Sequence, residues 1–182
     1  ASFTMKFGHR MDEEAVERFR LHYLQFSLLK RELKLGFEKE NHTLATFMSK
    51  TGMPSFIRKL EPLPAADMAF VQLLDRELDR VNSFAMAKER EVCTQIWHLL
   101  AQLRVSKRVQ EVDATRMIQR VEEVEHDIVD LERFCRLNFV GFVKIIKKYD
   151  KVRGMQARPW FVARLMQDPF CNLDLGTLLV HF

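Results

Sequence analysis

Two long segments of the chain repeat apolar residues at intervals of three and four positions. The first runs from about Ala65 to Leu103 with an interruption at Lys88, and the second runs from about Val109 to Tyr149. Because this spacing places apolar side chains on one face of an α-helix, it predicts two amphipathic helices of roughly 40 residues each. The apolar positions are Val71, Leu74, Leu78, Val81, Ala85, Val92, Ile96, Leu99 and Leu103 in the first segment, and Met117, Val121, Val124, Ile128, Leu131 and Cys135 in the second.

A shorter series of the same kind lies near the N-terminus. It begins after Asp12, which is suited to cap a helix, and ends near Leu35, so it predicts one helix over this range. Glycine and proline cluster between the series, which predicts breaks at residues 51–64, 104–108 and 152–159. No segment alternates apolar and polar residues over a strand's length. The apolar face of this first helix is predicted to consist of Val16, Phe19, Tyr23, Phe26, Leu29 and Leu33.

The predicted helix lengths favour an elongated molecule. A helix of roughly 40 residues spans about 60 Å, whereas a compact domain of this size has a radius of gyration of about 16 Å. The two long helices are therefore expected to form an antiparallel hairpin, with the N-terminal helix and short C-terminal helices packed at one end. The predicted fold class is all-α, an elongated helical bundle.

Composition narrows the possible classes of protein. With 47% apolar and 30% charged residues, the chain has the balance of an ordinary protein with a core, and its net charge of +4 does not by itself indicate nucleic acid. Cys93, Cys135 and Cys171 are widely spaced and form no CxxC motif, which argues against a disulfide framework or a zinc site. No apolar run reaches 18 residues, and the start lacks the pattern of a signal peptide. We therefore expect a cytoplasmic location.

The most uneven charge distribution lies in the stretch NFVGFVKIIKKYDKVRG, which has four lysines and one arginine but a single acid, Asp150. On a helix, Lys144, Lys147, Lys148 and Lys151 fall within an arc of about 100°, and we call these four residues the lysine face. The opposite side of the helix carries Phe139, Phe142, Ile145, Ile146 and Tyr149.

Two interpretations of the lysine face remain open from the pattern alone. A solvated face near a helix C-terminus is favoured by the helix dipole, which accounts for one or two lysines. All four lysines repel one another, because the pairs Lys144/Lys148 and Lys147/Lys151 are like charges four residues apart, each destabilising by a few tenths of a kcal/mol. A bound anion would relieve that repulsion, so the second interpretation is an anion site.

Other candidate sites have weaker support. Glu123 and His126 have the ExxH spacing of di-iron bundles, but such bundles need a second ExxH and two more inward glutamates, and the chain has no second copy. We therefore expect no metal. Trp97 and Trp160 stand among apolar neighbours and are expected to pack in the core. The six histidines form no HExxH and no glycine-rich phosphate loop occurs, so no catalytic residues are expected.

Three sequence blocks, in the same order, resemble the SPX domain. MKFGHRMDEEAVERFRLHYLQFSLLKREL, from Met5, is similar to the opening of the family, and LNFVGFVKIIKKYDK, from Leu137, is similar to its most specific motif, LNxxGFxKIxKKxDK. LDRELDRVNSF, from Leu74, is a weaker match in between. The resemblance implies one SPX-like domain over residues 5–182, with residues 1–4 as a remnant that is not native. It also implies an N-terminal helical hairpin, two long helices and short C-terminal helices.

The resemblance also implies a function, which is to sense cellular phosphate by binding inositol polyphosphates, especially inositol pyrophosphates, without catalysis or a cofactor. By position in the motifs, Lys30 and Lys148 correspond to the phosphate-binding cluster of the family. Lys144, Lys147 and Lys151 correspond to the lysine surface beside that cluster. Lys6 is expected to add an ammonium group. Phe26 stands where the family has a tyrosine, so a hydroxyl donor is missing. The site residues expected from the resemblance are Lys6, Phe26, Lys30, Lys144, Lys147, Lys148 and Lys151.

The expected partner is an effector, either a domain C-terminal to this chain or a separate protein such as a transporter or polymerase. The ending, from Ala157, loosely resembles the segment that follows SPX domains in vacuolar transporter chaperone (VTC) polyphosphate polymerase subunits, and Asp174 is suited to cap a last helix. An alternative function also fits the residues. In it, the molecule is a helical scaffold whose basic face binds an acidic protein or a membrane surface.

Overall fold

The computed structural model describes residues 7–39, 65–106 and 114–174, and in these ranges all regular structure is helical. The predicted break at 51–64, the start at Met5, Lys6 and the helix after Asp174 lie outside the described residues. The five α-helices are α1 (Phe7–Glu14), α2 (Phe26–Lys39), α3 (Ala65–Ser106), α4 (Ala114–Arg153) and α5 (Arg158–Leu165), and two 3₁₀ helices span Glu17–His22 and Pro169–Cys171.

Helices α3 and α4 form the predicted antiparallel hairpin. They contain 42 and 40 residues, so each is about 60 Å long. Side chains that meet across the hairpin follow opposite orders in the two helices, as an antiparallel pair requires. These contacts are Asp67 with Arg153, Phe70 with Tyr149, Phe84 with Phe134, and Gln102 with Arg120. The predicted all-α, elongated fold is confirmed.

The hydrophobic core is divided along the hairpin into two clusters. The larger cluster lies where the N-terminal and C-terminal elements pack on α3 and α4, and includes Leu29, Leu33, Phe142 and Phe161. The smaller cluster lies between α3 and α4 alone, and consists of Val92, Ile96, Leu99, Val124 and Ile128. Lys88 falls between the two clusters on α3. The interruption of the apolar pattern there therefore marks a boundary of the core and not a break in the helix.

The prediction of one helix from Asp12 to Leu35 is wrong. The backbone is extended at Val16 (ψ 120°) and Tyr23 (ψ 151°), so α1, a 3₁₀ helix and α2 follow one another as separate elements. No glycine or proline causes these breaks. The Tyr23 hydroxyl instead accepts a hydrogen bond from the backbone N–H of Val16 at 3.1 Å, and side chains of α3 and α4 bind the backbone of residues 21–25. These contacts replace the hydrogen bonds that a continuous helix would make.

The C-terminal end of α4 breaks where glycine and proline predict it. Gly154 adopts a positive φ of 65°, a conformation that favours glycine, and α5 starts with a proline in its first turn. None of the described helices is long and apolar enough to cross a membrane.

Candidate anion-binding site

The lysine face lies on a helix whose other side is completely buried. Phe142, Ile145, Ile146 and Tyr149 each have 0% exposure, whereas Lys144, Lys147 and Lys151 are exposed and Lys148 is half-buried. The predicted division of this helix into an apolar and a basic side is confirmed. Because the apolar side is fixed in the core, the four ammonium groups stay close together despite their repulsion.

The single acid in this segment is occupied elsewhere. The carboxylate of Asp150 accepts hydrogen bonds from the backbone N–H of Ala157 at 2.8 Å and of Arg158 at 3.0 Å, so it caps the start of α5. It thereby fixes α5 against the end of α4 rather than pairing with a lysine. The bonds of this carboxylate are thus directed to α5 and not to the lysine face.

A buried ion pair anchors the end of the lysine-bearing helix. Arg153 of α4 is 2% exposed and its Nε lies 2.7 Å from a carboxylate oxygen of Asp67, which is 0% exposed, at the start of α3. Tyr149 stacks on Phe70 beside this pair, with ring centroids 5.0 Å apart. Burial, followed by the nearby charge of Asp67, raises the pKa of the Tyr149 phenol well above its usual range. The phenol is therefore neutral at physiological pH.

Side chains of both long helices hold the segment that leads into α2. The buried amide of Asn138 accepts a hydrogen bond from the Leu24 N–H at 2.7 Å and donates one to the Phe134 carbonyl at 2.8 Å. On the α3 side, the carboxylate of Glu77 accepts a hydrogen bond from the Gln25 N–H at 2.7 Å. These contacts fix the position at which α2 starts relative to α4. Asn138 and Glu77 are thus positioning residues, a role that the sequence motifs containing them did not reveal.

A glycine allows this segment to approach α4 closely. A Cβ atom built on Gly141 would lie 2.8 Å from Cδ2 of Leu24 and 3.6 Å from Cε of Met11, so a larger residue would collide with Leu24. Gly141 precedes Lys144 by one helical turn. The lysine face therefore begins directly beyond the point where the N-terminal elements press on α4.

The two remaining described site residues lie on α2. Phe26 is its first residue, is half-buried, and packs edge-on against the ring of Phe7 with centroids 5.0 Å apart. Lys30, one turn later, is exposed. It lies within the first turns of α2, which continues to Lys39. The structure thus brings the helix that carries Phe26 and Lys30 against α4, while Lys6 precedes the described residues.

The signals for the positioning residues are present in the sequence but are not specific. Asn138 is a polar residue within an apolar stretch, and Glu77 has Arg80 three residues later. In the structure, Arg80 pairs with Glu77 and donates to the carbonyl oxygens of Leu21 and Tyr23. A buried Asn or a spaced Glu–Arg pair occurs in many helices, so neither identifies its partner without the fold.

The structure also locates the other residues that the sequence singled out. Glu123 and His126 are both exposed on α4, and the described part of the chain contains no group of three potential metal ligands. The prediction that Trp97 lies in the core is wrong, since its side chain is 66% exposed. Trp160 is half-buried and packs against the larger core cluster, as expected.

Several relatives of the chain are named for one domain, the SPX domain. SPX domain-containing protein 2 of Oryza sativa subsp. indica is 32% identical over 183 residues, which cover 97% of this chain and 64% of the relative. SPX domain-containing protein 2 of Arabidopsis thaliana is 28% identical, covering 94% of this chain and 61% of the relative. The chain is thus similar to SPX domain-containing proteins over nearly its whole length. No protein-family model matches it, and it spans less than two thirds of these plant relatives.

Two further similarities are to a longer protein and to a solved structure. Vacuolar transporter chaperone complex subunit 4 of Schizosaccharomyces pombe is 28% identical over 188 residues, covering 97% of this chain but 23% of that protein. In fold, the chain is similar to the SPX domain of Chaetomium thermophilum Glycerophosphodiester Phosphodiesterase 1, solved in complex with inositol hexakisphosphate (InsP6). The TM-score is 0.71 at 23% identity, and the match covers 97% of this chain and 94% of the other.

Proposed function

We propose that this SPX domain is a phosphate-sensing regulatory module that binds inositol polyphosphates or inositol pyrophosphates through its lysine face. The observation that carries the proposal is the lysine face itself, four cations on one side of a helix whose opposite side is fully buried. The solved SPX domain of similar fold, which is in complex with InsP6, supports the same class of ligand.

The residues have distinct roles in this proposal. Lys148 and Lys30 bind phosphate at the centre of the site, and Lys144, Lys147 and Lys151 extend the basic surface around it. An ammonium group is a compact charge with three donors, which suits a ring that presents phosphates in several directions. Lys6 adds a further ammonium group.

The expected affinity follows from the contacts available. Four to six charge-assisted hydrogen bonds contribute about 1.5–3 kcal/mol each, and association and side-chain ordering oppose them by several kcal/mol or more. The result is an affinity near the micromolar range. Phe26 lacks the hydroxyl of the family tyrosine, which weakens binding relative to a site that has it.

The ligand is proposed to act on an effector and not to be a substrate. The domain itself is proposed to be non-catalytic, cytoplasmic and joined to, or in contact with, a transporter or polyphosphate polymerase. The similarity to a vacuolar transporter chaperone subunit supports an effector of the polymerase class. In such a protein the domain would lie on the cytosolic face of a membrane.

The direct test is calorimetric titration of the protein with InsP6 in sulfate-free buffer, with inositol hexakissulfate as a control of equal shape. Binding of InsP6 should be saturable, and should weaken several-fold or more when salt rises from about 50 to 300 mM, since the site is exposed. If InsP6 does not bind while an acidic protein or anionic vesicles do, the lysine face serves a macromolecular surface instead, and the proposal is wrong.

A further inference from the structure

The chain leaves α4 directly after the lysine face and packs back against the same helix. Gly154 turns the backbone at this point, and we call residues 155–174 the C-terminal segment. Two of its rings, Phe161 and Phe170, pack against Phe142 of α4 with centroids 6.4 and 6.0 Å apart. The C-terminal segment therefore lies on the buried side of the helix that carries the lysine face on its outer side.

The start of the C-terminal segment depends on a side chain of α4. Helix α5 begins after Ala157, whose own side chain cannot cap a helix. Asp150 takes that role, with one carboxylate oxygen accepting a hydrogen bond from the Ala157 N–H and the other accepting one from the Arg158 N–H. Docking of α5 on α4 thus uses both oxygens of Asp150.

The other end of the C-terminal segment is fixed on α3. The side-chain amide of Asn82 donates a hydrogen bond to the carboxylate of Asp168 at 3.2 Å, and its oxygen accepts one from the Phe170 N–H at 3.1 Å. An aspartate therefore takes part in each attachment of the segment. Asp168 holds it at α3, whereas Asp150 holds it beside the lysine face.

Asp150 stands among the residues of the lysine face in the sequence. Lys147 precedes it by three positions and Lys151 follows it by one. Side chains three positions apart are neighbours on the surface of a helix, and a carboxylate and an ammonium group at this spacing attract each other. In the structure the two oxygens of Asp150 are bonded to α5 instead.

Opening of the C-terminal segment would therefore change the lysine face. Asp150 would lose the N–H groups of α5, and Lys147 is placed to replace them as its partner. That ion pair would neutralise one ammonium group and bring a negative charge to the surface on which a polyanion binds. The affinity of the lysine face for a polyanion is consequently highest while α5 is docked.

We propose that a polyanion bound to the lysine face holds the C-terminal segment closed, and that Asp150 couples the two. If the closed state binds the ligand more tightly, the ligand must stabilise the closed state by the same factor. Asp150 acts through Lys147 and is a positioning residue. The inference rests on the proposed function, since the ligand must bind at the lysine face, and it adds that binding is transmitted through α5.

Hydrogen–deuterium exchange with and without InsP6 tests this coupling at the amides of α5. In the wild type, InsP6 should slow their exchange by roughly two- to fivefold relative to residues 92–99 of α3, which report any general stabilisation. In Asp150→Asn the slowing should disappear, because asparagine still accepts a hydrogen bond from α5 but has no charge to place on the lysine face. A purely structural role of Asp150 would instead speed exchange equally with and without InsP6.

Asp168→Asn is the matched control, because it makes the same chemical change at the other end of the C-terminal segment. It should keep the InsP6-dependent slowing. Calorimetry on the same samples separates this inference from the proposed function. If InsP6 does not bind, both are wrong. If it binds, this inference alone is overturned by wild-type α5 amides that are not slowed, by equal slowing in Asp150→Asn, or by loss of the slowing in Asp168→Asn.

Discussion

The two halves of α4 have opposite surroundings although they belong to one helix. Its C-terminal half is packed by α1, α2, α3 and α5, and Phe142, Ile145, Ile146 and Tyr149 on it are fully buried. Its N-terminal half contacts α3 in a five-residue cluster and leaves Ile118 and Val129 more than half exposed. The four like charges of the lysine face lie on the C-terminal half, which packs in the larger core cluster. The comparison teaches that strong burial on one side of a helix allows unfavourable charge to be kept on the other.

The largest expected effect is on ligand binding at the well-packed half. Replacing Lys144, Lys147 and Lys148 with alanine removes three charge-assisted contacts of about 1.5–3 kcal/mol each, so InsP6 binding should become undetectable by calorimetry. The melting temperature should stay the same or rise slightly, because like-charge repulsion is relieved. Replacing Lys88, which lies outside the lysine face, with alanine is the control. Retained affinity in the folded triple variant would place the site elsewhere.

A large effect on stability is expected at the end of the same half. Asp67→Asn leaves Arg153 as a buried charge without its counter-ion, which should lower the free energy of unfolding by about 3–5 kcal/mol. Glu91→Gln removes the partly exposed ion pair with Lys88 on α3, and should change the free energy of unfolding by less than about 1 kcal/mol. Urea denaturation compares the two. Equal losses of unfolding free energy in the two variants would mean that the buried ion pair contributes no more to stability than the partly exposed one.

A smaller effect is expected where the N-terminal segment meets α4. Gly141→Ala forces its methyl group against Leu24, at 2.8 Å before any adjustment, and should destabilise the fold by about 1–3 kcal/mol. Gly8→Ala is the matched control, since its nearest neighbours would lie at 3.8 Å. It should be neutral or slightly stabilising in α1. Thermal unfolding measures both, and an unchanged Gly141→Ala variant would show that the contact adjusts freely.

The smallest expected effect concerns Phe26. Phe26→Tyr adds a hydroxyl to a half-buried ring one turn before Lys30, and should tighten InsP6 binding by about 0.5–1.5 kcal/mol, or roughly two- to tenfold. The ring should keep its packing against Phe7. Titration of the two proteins side by side measures the difference. Unchanged affinity with lowered stability would mean that the hydroxyl points into the core, where it is unfavourable.

The sequence by itself determined the two long helices, because their apolar spacing extends over many turns and few other structures satisfy it. It also determined the lysine face, since residues three and four apart on a helix share a side wherever that helix is placed. The break after Arg153 was predictable for the same kind of local reason, as Gly154 favours the left-handed conformation that it adopts.

The tertiary structure alone decided where the N-terminal region breaks and what surrounds the site. Residues 23–25 leave the helical conformation because Asn138, Glu77 and Arg80 bind backbone groups of residues 21–25 from 52 to 114 positions away in sequence. Trp97 is exposed, although its neighbours in sequence are apolar, because the C-terminal elements pack on that side of α3 four turns away, at Asn82, and not at Trp97. Hydrogen bonds and burial of this kind depend on which elements meet in space, and a local pattern does not contain that information.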